Sequence, residues 1–200
     1  MPQYLCRSLD LTRLEGEGAT IAVTDASSRI LWVNAAWKQF AAAHGRSQSQ
    51  TERVLGTSYL GSISGWQRDF YTSQFEQALG TGKPFEQTYC CSTTTEVHEY
   101  RMRLIPIDRT YVVTEHTFVR ASGVPAAWEP VDSVVETLFR NRSGHVSQCG
   151  NCRRVRRVDG LWQWVGAWVE RSPPVTSHVV CLLCSRYYYG ILPAQAAESP

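Results

Sequence analysis

The sequence predicts an α+β protein in which five strand-like runs and several helices precede a small cysteine-rich module. The first observation is the apolar pattern between residues 19 and 119, which gives two strand-like runs, helical stretches and three more strand-like runs. The second is a pair of Cys-x-x-Cys motifs beyond residue 130. A chain of 200 residues that is 43% hydrophobic can bury one ordinary core and a smaller second unit.

The first half of the pattern predicts a hairpin and two helices. Residues 19–24 and 30–33 suit strands, and the polar stretch 25–29 suits the turn between them. Asn34 precedes an alanine-rich stretch and suits the N-cap of a helix over 35–43 that ends near Gly45. We expect residues 46–53 to form a loop and residues 66–79 to form a helix, which Gly80-Thr-Gly-Lys-Pro84 ends.

The second half predicts three strands, at residues 85–92, 97–105 and 111–119. In the middle run Tyr100, Met102 and Leu104 alternate with two arginines. This alternation is typical of a sheet with one buried and one solvated face.

The order of these elements, together with several short motifs, resembles PAS domains. The motifs are the Val23-Thr-Asp25 turn, the segment Trp32-Val-Asn-Ala-Ala-Trp37 and the run Ile105-Pro-Ile107. Residues 85–92 also resemble bacterial PAS sensors with a Tyr-x-Cys-His-Ser segment, except that Ser92 stands in place of the histidine. The resemblance implies a five-stranded antiparallel sheet with helices on one face, a pocket for a small ligand, and a homodimer.

Seven large side chains are candidates for the wall of that pocket. The alternative is that they belong to the ordinary core, because large apolar side chains are mostly buried. The candidates are Trp32, Tyr59, Trp66, Phe70, Tyr89, Tyr100 and Met102.

A connector rich in Ala, Gly and Pro, residues 121–130, follows the last predicted strand. Residues 131–140 then suit a helix that places Val131, Val134, Val135 and Leu138 on one face, which would relay a signal between the domains. The predicted organisation is an N-terminal extension (1–18), a PAS-like sensor domain (19–120), a linker with the relay helix (121–145), a four-cysteine module (146–190) and a tail (191–200).

Four cysteines predict a structural zinc site: Cys149, Cys152, Cys181 and Cys184. A gap of two residues lets both thiolates of a pair bind one ion, and two such pairs close a tetrahedral site. The module resembles a zinc-ribbon-like bacterial unit found after PAS and response-regulator domains, which also carries Gly160-Leu-Trp162 and Ser177-His178. His178 is an alternative ligand, or a hydrogen-bonding partner of one.

A cluster of arginines lies beside the first cysteine pair and predicts a basic contact patch. Such patches attract phosphates, although they also serve as solvated or protein-docking surfaces, and no helix-turn-helix pattern accompanies this one. Nucleic-acid binding is therefore possible but not favoured. The patch consists of Arg153, Arg154, Arg156 and Arg157.

The sequence carries no complete catalytic motif, so we expect no enzymatic activity. Gly61-Ser-Ile-Ser-Gly65 lacks a serine at the nucleophile position, and residues 80–84 lack the Ser/Thr of a phosphate loop. The favoured interpretation is a PAS sensor with a structural zinc module that signals through contacts in a homodimer or with a downstream signalling protein. A DNA-binding regulator and a thiol redox sensor are the alternatives.

The expected location is the cytoplasm. No apolar run approaches the roughly 18 residues that a membrane span needs, and charged residues occupy the start of the chain where a signal peptide would be apolar. A reducing compartment also agrees with paired cysteines that bind metal.

Overall fold

A computed structural model describes residues 9–43, 47–63, 65–131 and 134–190. These residues fall into two compact units. One is drawn from Met1–Gln87 and Arg101–Phe118, and the other from Thr88–Tyr100 and Val119–Pro200. The hairpin residues 88–100 therefore group with the C-terminal part of the chain, unlike the predicted division at residue 120.

A five-stranded antiparallel sheet of order β2-β1-β5-β4-β3 is the main element of residues 20–123. Its strands are β1 (Thr20–Asp25), β2 (Ile30–Val33), β3 (Phe85–Cys90), β4 (Glu96–Ile107) and β5 (Tyr111–Gly123). In the register of β1, Val23 lies opposite Trp32 on β2 and Val113 on β5. The five-stranded antiparallel sheet that the PAS resemblance implied is confirmed, and β5 extends into the predicted linker.

Helices α2, α3 and α4 all occur between β2 and β3. Their bounds, with that of the short N-terminal helix, are α1 (Leu11–Glu15), α2 (Ala35–Ala43), α3 (Gln48–Glu52) and α4 (Gly65–Thr81). Helix α3 corrects the prediction of a loop over 46–53. Ser47 and Gln50 form a reciprocal capping box, in which each backbone N–H donates to the other side chain, at 2.8 and 3.3 Å.

The two faces of β1 contact different parts of the chain. Ile21 and Val23 pack with Leu9 and Leu11, whereas Ala22 on the other face packs in a cluster with Trp37 and Tyr59 among its members. Residues 9–15, part of the predicted N-terminal extension, thus cover one face of the sheet, because their leucines bury apolar area there. Residues 1–8 lie outside the described part of the chain.

Asn34 confirms the predicted N-cap and also fixes the N-terminal segment. Its Oδ1 accepts from the backbone N–H of Trp37 at 2.9 Å and of Ile21 at 3.0 Å. Its Nδ2 donates to the carbonyls of Leu14, Glu17 and Ala19 at 3.3, 3.3 and 2.8 Å. The side chain is fully buried, so one amide satisfies backbone groups of three separate segments.

The second unit contains a four-stranded mixed sheet of order β8-β7-β6-β9. Its elements are β6 (Val146–Cys149), β7 (Val155–Arg156), β8 (Trp162–Gln163), β9 (Thr176–Val179) and helix α5 (Leu182–Tyr189). Strand β6 pairs in parallel with β9 and antiparallel with β7. The core of this unit comprises Phe139, Val146, Val155, Val165 and Trp168.

The predicted relay helix over 131–140 is wrong. Val131 donates its backbone N–H to the Trp164 carbonyl at 3.0 Å, and only the three residues Glu136–Leu138 form a 3-10 turn. The described residues of this segment form no α-helix; Val131 and Val134 pack on the core of the cysteine module, and Phe139 is part of that core. Residues 132 and 133 lie outside the described part.

No helix within the described ranges combines the length and apolar character that crossing a membrane requires.

Candidate metal centre

The four cysteines of the paired motifs meet at one end of the parallel β6–β9 pair. Cys149 is the last residue of β6 and lies opposite Val179 of β9, two residues before Cys181. Cys181 is the N-cap of α5, and Cys184 follows in the first turn of that helix. The strand register therefore brings together two motifs separated by 28 residues in the sequence.

The geometry of the cluster suits a tetrahedral metal ion. The sulfur atoms of Cys149, Cys152, Cys181 and Cys184 all lie within 4.8 Å of one another. The Cys152 and Cys181 sulfurs are 3.7 Å apart, close to the edge of about 3.8 Å of a tetrahedron with metal–sulfur bonds of about 2.3 Å. The four residues are 0–3% exposed, so a bound ion would have no position open to substrate.

Backbone N–H groups support negative charge on these sulfurs. The N–H of Cys181 donates to the Cys149 sulfur at 3.4 Å, and the N–H of Cys184 donates to the Cys181 sulfur at 3.5 Å. The second contact comes from the first turn of α5, where the helix dipole also favours a thiolate.

Arg154 is the charged side chain in direct contact with the cluster. Its Nε donates to the Cys152 sulfur at 3.3 Å and a terminal nitrogen donates to the Cys181 sulfur at 3.2 Å. The guanidinium also lies 4.8 Å from the centre of the Trp128 ring, and the residue is 7% exposed. Since four thiolates and a divalent ion carry a net charge of −2, Arg154 neutralises part of that charge.

A buried polar network fixes the segment over residues 168–172 of the second unit. Gln148 is fully buried; its Nε2 donates to the carbonyls of Arg153 and Trp168 at 3.1 and 2.8 Å, and its Oε1 accepts from Ser172 at 2.6 Å. Arg153 donates from Nε to the Val169 carbonyl at 3.0 Å. Both side chains therefore fix the shape of the module beside the first cysteine pair.

The predicted basic contact patch is not formed as a continuous surface. Arg154 faces the sulfurs and Arg153 faces the backbone of the loop, while Arg157 forms an ion pair with Asp159 at 2.7 Å. Arg156 alone among the four is exposed. Arginines next to two cysteines supply the donors that buried sulfurs and carbonyls need, so Arg153 and Arg154 turn towards the module and not towards the solvent.

His178 is not part of the cluster. It lies on β9 opposite Gln148 and is exposed, and the described residues whose ligand atoms converge are the four cysteines. The prediction of His178 as an alternative ligand therefore has no support in this geometry.

The seven predicted pocket residues do not lie around one cavity. Tyr59 is close to Met102, whose sulfur is 3.8 Å from the Tyr59 hydroxyl, but Trp32 packs with Ile21 and Val23 on the opposite face of the sheet. The prediction for Trp32 is wrong because a bulge in the β1–β2 pairing places it opposite Val23.

The other four residues form two aromatic groups. The ring centres of Trp66 and Phe70 are 6.4 Å apart in an edge contact, and those of Tyr89 and Tyr100 are 5.7 Å apart in a stacked pair. Two cavities in the first unit, of about 520 and 350 Å³, are lined by other residues, including Lys38 in the larger.

A partly buried polar pair lies on the helix-covered side of the first unit. The Tyr59 hydroxyl and His116 Nε2 are 2.7 Å apart. Burial lowers the pKa of His116 to about 4 and raises the pKa of Tyr59 well above its usual range. The imidazole is therefore neutral at physiological pH, and its isolated position in the sequence gave no sign of this partner.

Two contacts of the second unit were missed by sequence reasoning. Trp128, assigned to the linker, packs on Trp164 with the ring centres 5.6 Å apart and also contacts Arg154. The Cys90 sulfur is 2.7 Å from the Tyr188 hydroxyl, although 98 residues separate the two. A tryptophan in a Pro-rich connector was the available signal for the first contact, whereas spacing gave none for the second.

Comparisons with known proteins find a match only among solved structures. A scan of family models and a search of curated proteins each find none. The chain is similar to the PAS domain of Bordetella pertussis BvgS at 13% identity and a TM-score of 0.43, covering 60% of this chain and 88% of that one. A Cronobacter turicensis RpfR quorum-sensing receptor PAS domain in complex with BDSF is 11% identical, with a TM-score of 0.40 and coverage of 52% and 96%.

Proposed function

We propose that this chain is a non-enzymatic signal-transduction protein in which a PAS-like sensor domain is coupled to a structural zinc module. The observation that carries the proposal is the closed cluster of four cysteine sulfurs. Four thiol ligands at tetrahedral spacing, 0–3% exposed, suit an ion that stabilises a fold rather than one that binds substrate.

Zinc is the ion that this donor set favours. Soft thiolates in a tetrahedral arrangement select zinc or an iron–sulfur cluster. The Cys152–Cys181 sulfur distance of 3.7 Å matches a single ion with bonds of about 2.3 Å. The second unit has only a small apolar core, so we expect it to depend on zinc for stability, because metal binding adds directly to the folding free energy.

The sensor part of the proposal is supported by the interior of the PAS-like fold. The Tyr59 hydroxyl, the His116 imidazole and the Met102 sulfur lie together beneath the helices. A few polar groups in an apolar interior are what a ligand-binding fold uses to orient a small molecule. A ligand there could alter the helix packing, and the output would pass through a homodimer or a downstream signalling protein.

The alternatives receive less support from the geometry. A DNA-binding regulator needs exposed cations that are free to bind phosphate, whereas Arg154 is buried against the sulfurs, Arg153 donates to a loop carbonyl and Arg157 is paired with Asp159. A thiol redox sensor built on the paired cysteines needs accessible thiolates, but these four residues are only 0–3% exposed. Both remain testable by salt-dependent DNA binding and by mild oxidation.

Sedimentation velocity of the full chain across a range of protein concentrations tests signalling through contacts. We expect a homodimer whose dissociation is reversible, and an arginine substitution at exposed Arg156 should leave it intact. A monomer at every concentration, together with DNA binding that weakens steeply with salt, would replace this proposal with the DNA-binding alternative.

A further inference from the structure

The second unit has a partly open cavity of about 230 Å³ beside the candidate metal centre. Its wall is largely apolar and aromatic and includes Trp128, Leu183, Tyr187 and Tyr188. Two of these side chains are held in place, since the Tyr188 hydroxyl contacts the Cys90 sulfur at 2.7 Å and the Trp128 ring packs at a tilt on Trp164. The cavity is smaller than the pockets of about 300 to 1,000 Å³ that hold drug-sized ligands, so it suits a small molecule.

The charged groups of this cavity are unequally buried. The Glu99 side chain is 18% exposed, whereas Arg120, which donates to the Glu99 carboxylate at 3.0 Å, is 66% exposed. Cys152 and Cys184, two residues of the metal cluster, also contribute to the wall. The more buried charged group of the cavity is thus the Glu99 carboxylate, and the Arg120 guanidinium contacts it from the solvent side.

We propose that this cavity binds a small organic cation, an amine or quaternary ammonium compound with an apolar body, with Glu99 as its counter-ion. The ring faces of tyrosines attract such cations, and Tyr187 and Tyr188 lie at the same cavity. The apolar body of the ligand would occupy the space near Leu183 and Trp128.

The charge distribution distinguishes this class from an acid or a neutral compound. An organic acid would meet the Glu99 carboxylate and, with metal bound, a thiolate cluster of negative charge, which costs binding energy through like-charge repulsion. A neutral apolar compound would leave Glu99 and Arg120 as they are and gain nothing from the carboxylate.

In the structure, the Arg120 guanidinium takes the position beside the Glu99 carboxylate that the cationic group of the ligand would take. This guanidinium is mostly solvated, and an exposed ion pair of this kind contributes little to stability. An incoming cation can therefore displace it into water at small cost, and removal of Arg120 should strengthen ligand binding.

The test uses choline and its neutral isostere 3,3-dimethylbutan-1-ol, titrated into the zinc-loaded full chain and followed by NMR at the Trp128 indole N–H. We expect saturable binding of choline and at least tenfold weaker binding of the isostere. Arg120→Ala should bind choline at least threefold more tightly than the wild type, and Glu99→Gln at least tenfold more weakly. Glu96→Gln, an exposed acid on the same strand, is the matched control and should bind like the wild type.

Three results would overturn the proposal: equal binding of the isostere, no saturable choline binding by Arg120→Ala, or unchanged binding by Glu99→Gln. Zinc content and far-UV circular dichroism establish that each variant is folded. If Glu99→Gln does not fold, the comparison of choline with its isostere in the wild type and in Arg120→Ala decides the question.

Discussion

At the scale of single residues, Asn34 joins more of the first unit than any pattern in the sequence indicates. Its one amide makes five hydrogen bonds to backbone groups of the N-terminal segment, β1 and α2. The backbone donors of Ile21 and Trp37 would lose their acceptor if the side chain were removed, and an unpaired buried donor is costly.

Asn34→Ala should therefore lower the free energy of unfolding of the first unit by about 3 kcal/mol. Gln39→Ala, at an exposed position of α2, is the control and should change it by less than about 0.5 kcal/mol. Urea denaturation followed by circular dichroism measures both. Equal stability of the two variants would show that the Asn34 contacts are replaced by water.

Arg154 is the residue whose removal should weaken metal binding without removing a ligand. Arg154→Leu takes away both guanidinium donors to the Cys152 and Cys181 sulfurs and should reduce zinc affinity by about 10- to 100-fold. Arg156→Leu, at the exposed position of the same cluster, should leave the affinity unchanged. Competition with a chromogenic chelator gives both constants, and a similar loss in the two variants would contradict a specific role for Arg154.

His116 should make the first unit less stable in acid. Its pKa is lowered from 6.5 to about 4 by burial, so between these pH values the unfolded chain binds a proton that the folded chain does not. Stability is therefore full above pH 6.5 and falls as the pH drops towards 4, by about 3 kcal/mol at most.

His116→Gln should flatten this part of the pH profile, because it removes the partly buried imidazole. Unfolding in urea at a series of pH values measures the slope. A wild-type slope in His116→Gln would assign the acid sensitivity to other groups.

At the scale of elements, the segment 131–140 shows why an apolar spacing did not decide between helix and extended chain. Val131, Val134, Val135 and Leu138 match a helical face, yet Val135 is 55% exposed and Leu138 is 38% exposed. The buried residue is Phe139, at 3%. The backbone pairing of Val131 with Trp164 and Val165, and the burial of Phe139 in the module's core, outweigh the weak helix preference of valines.

Phe139→Ala and Leu138→Ala distinguish the observed structure of residues 131–140, in which Phe139 is buried, from the predicted helix, in which Leu138 would be. The structure predicts a loss of about 3 to 5 kcal/mol in the stability of the second unit for Phe139→Ala, because it empties a core position. For Leu138→Ala it predicts a loss of less than about 1 kcal/mol. Thermal unfolding of the zinc-loaded chain measures both losses. A larger loss for Leu138→Ala than for Phe139→Ala would favour the predicted helix.

At the scale of the whole molecule, the two units should respond differently to removal of the metal. The first unit has its own apolar clusters on both faces of β1, whereas the second unit has a small apolar core and the buried cysteine cluster. Chelation should therefore abolish hydrogen-exchange protection over 146–189 while β1 and β2 keep theirs. Retained protection in both units would show that the second unit folds without metal.

The sequence was sufficient where local chemistry decides the structure and insufficient where distant contacts do. The strand at 30–33, the helix at 35–43 and the four-cysteine cluster follow from period, capping and ligand spacing. The face on which Trp32 lies depends on a bulge, and the inward turn of Arg154 depends on sulfurs that the fold brings near. Neither feature leaves a pattern in the local sequence, because both depend on contacts between residues that are distant along the chain.

Native mass spectrometry of the purified full chain tests the central claim, a structural zinc ion held by four thiolates, most directly. The account predicts one zinc per chain in the wild type and its loss in Cys184→Ser, with the metal retained in Cys91→Ser. Folded wild-type protein without metal, or with disulfides among the four cysteines, would contradict the account and move the assignment to thiol redox chemistry.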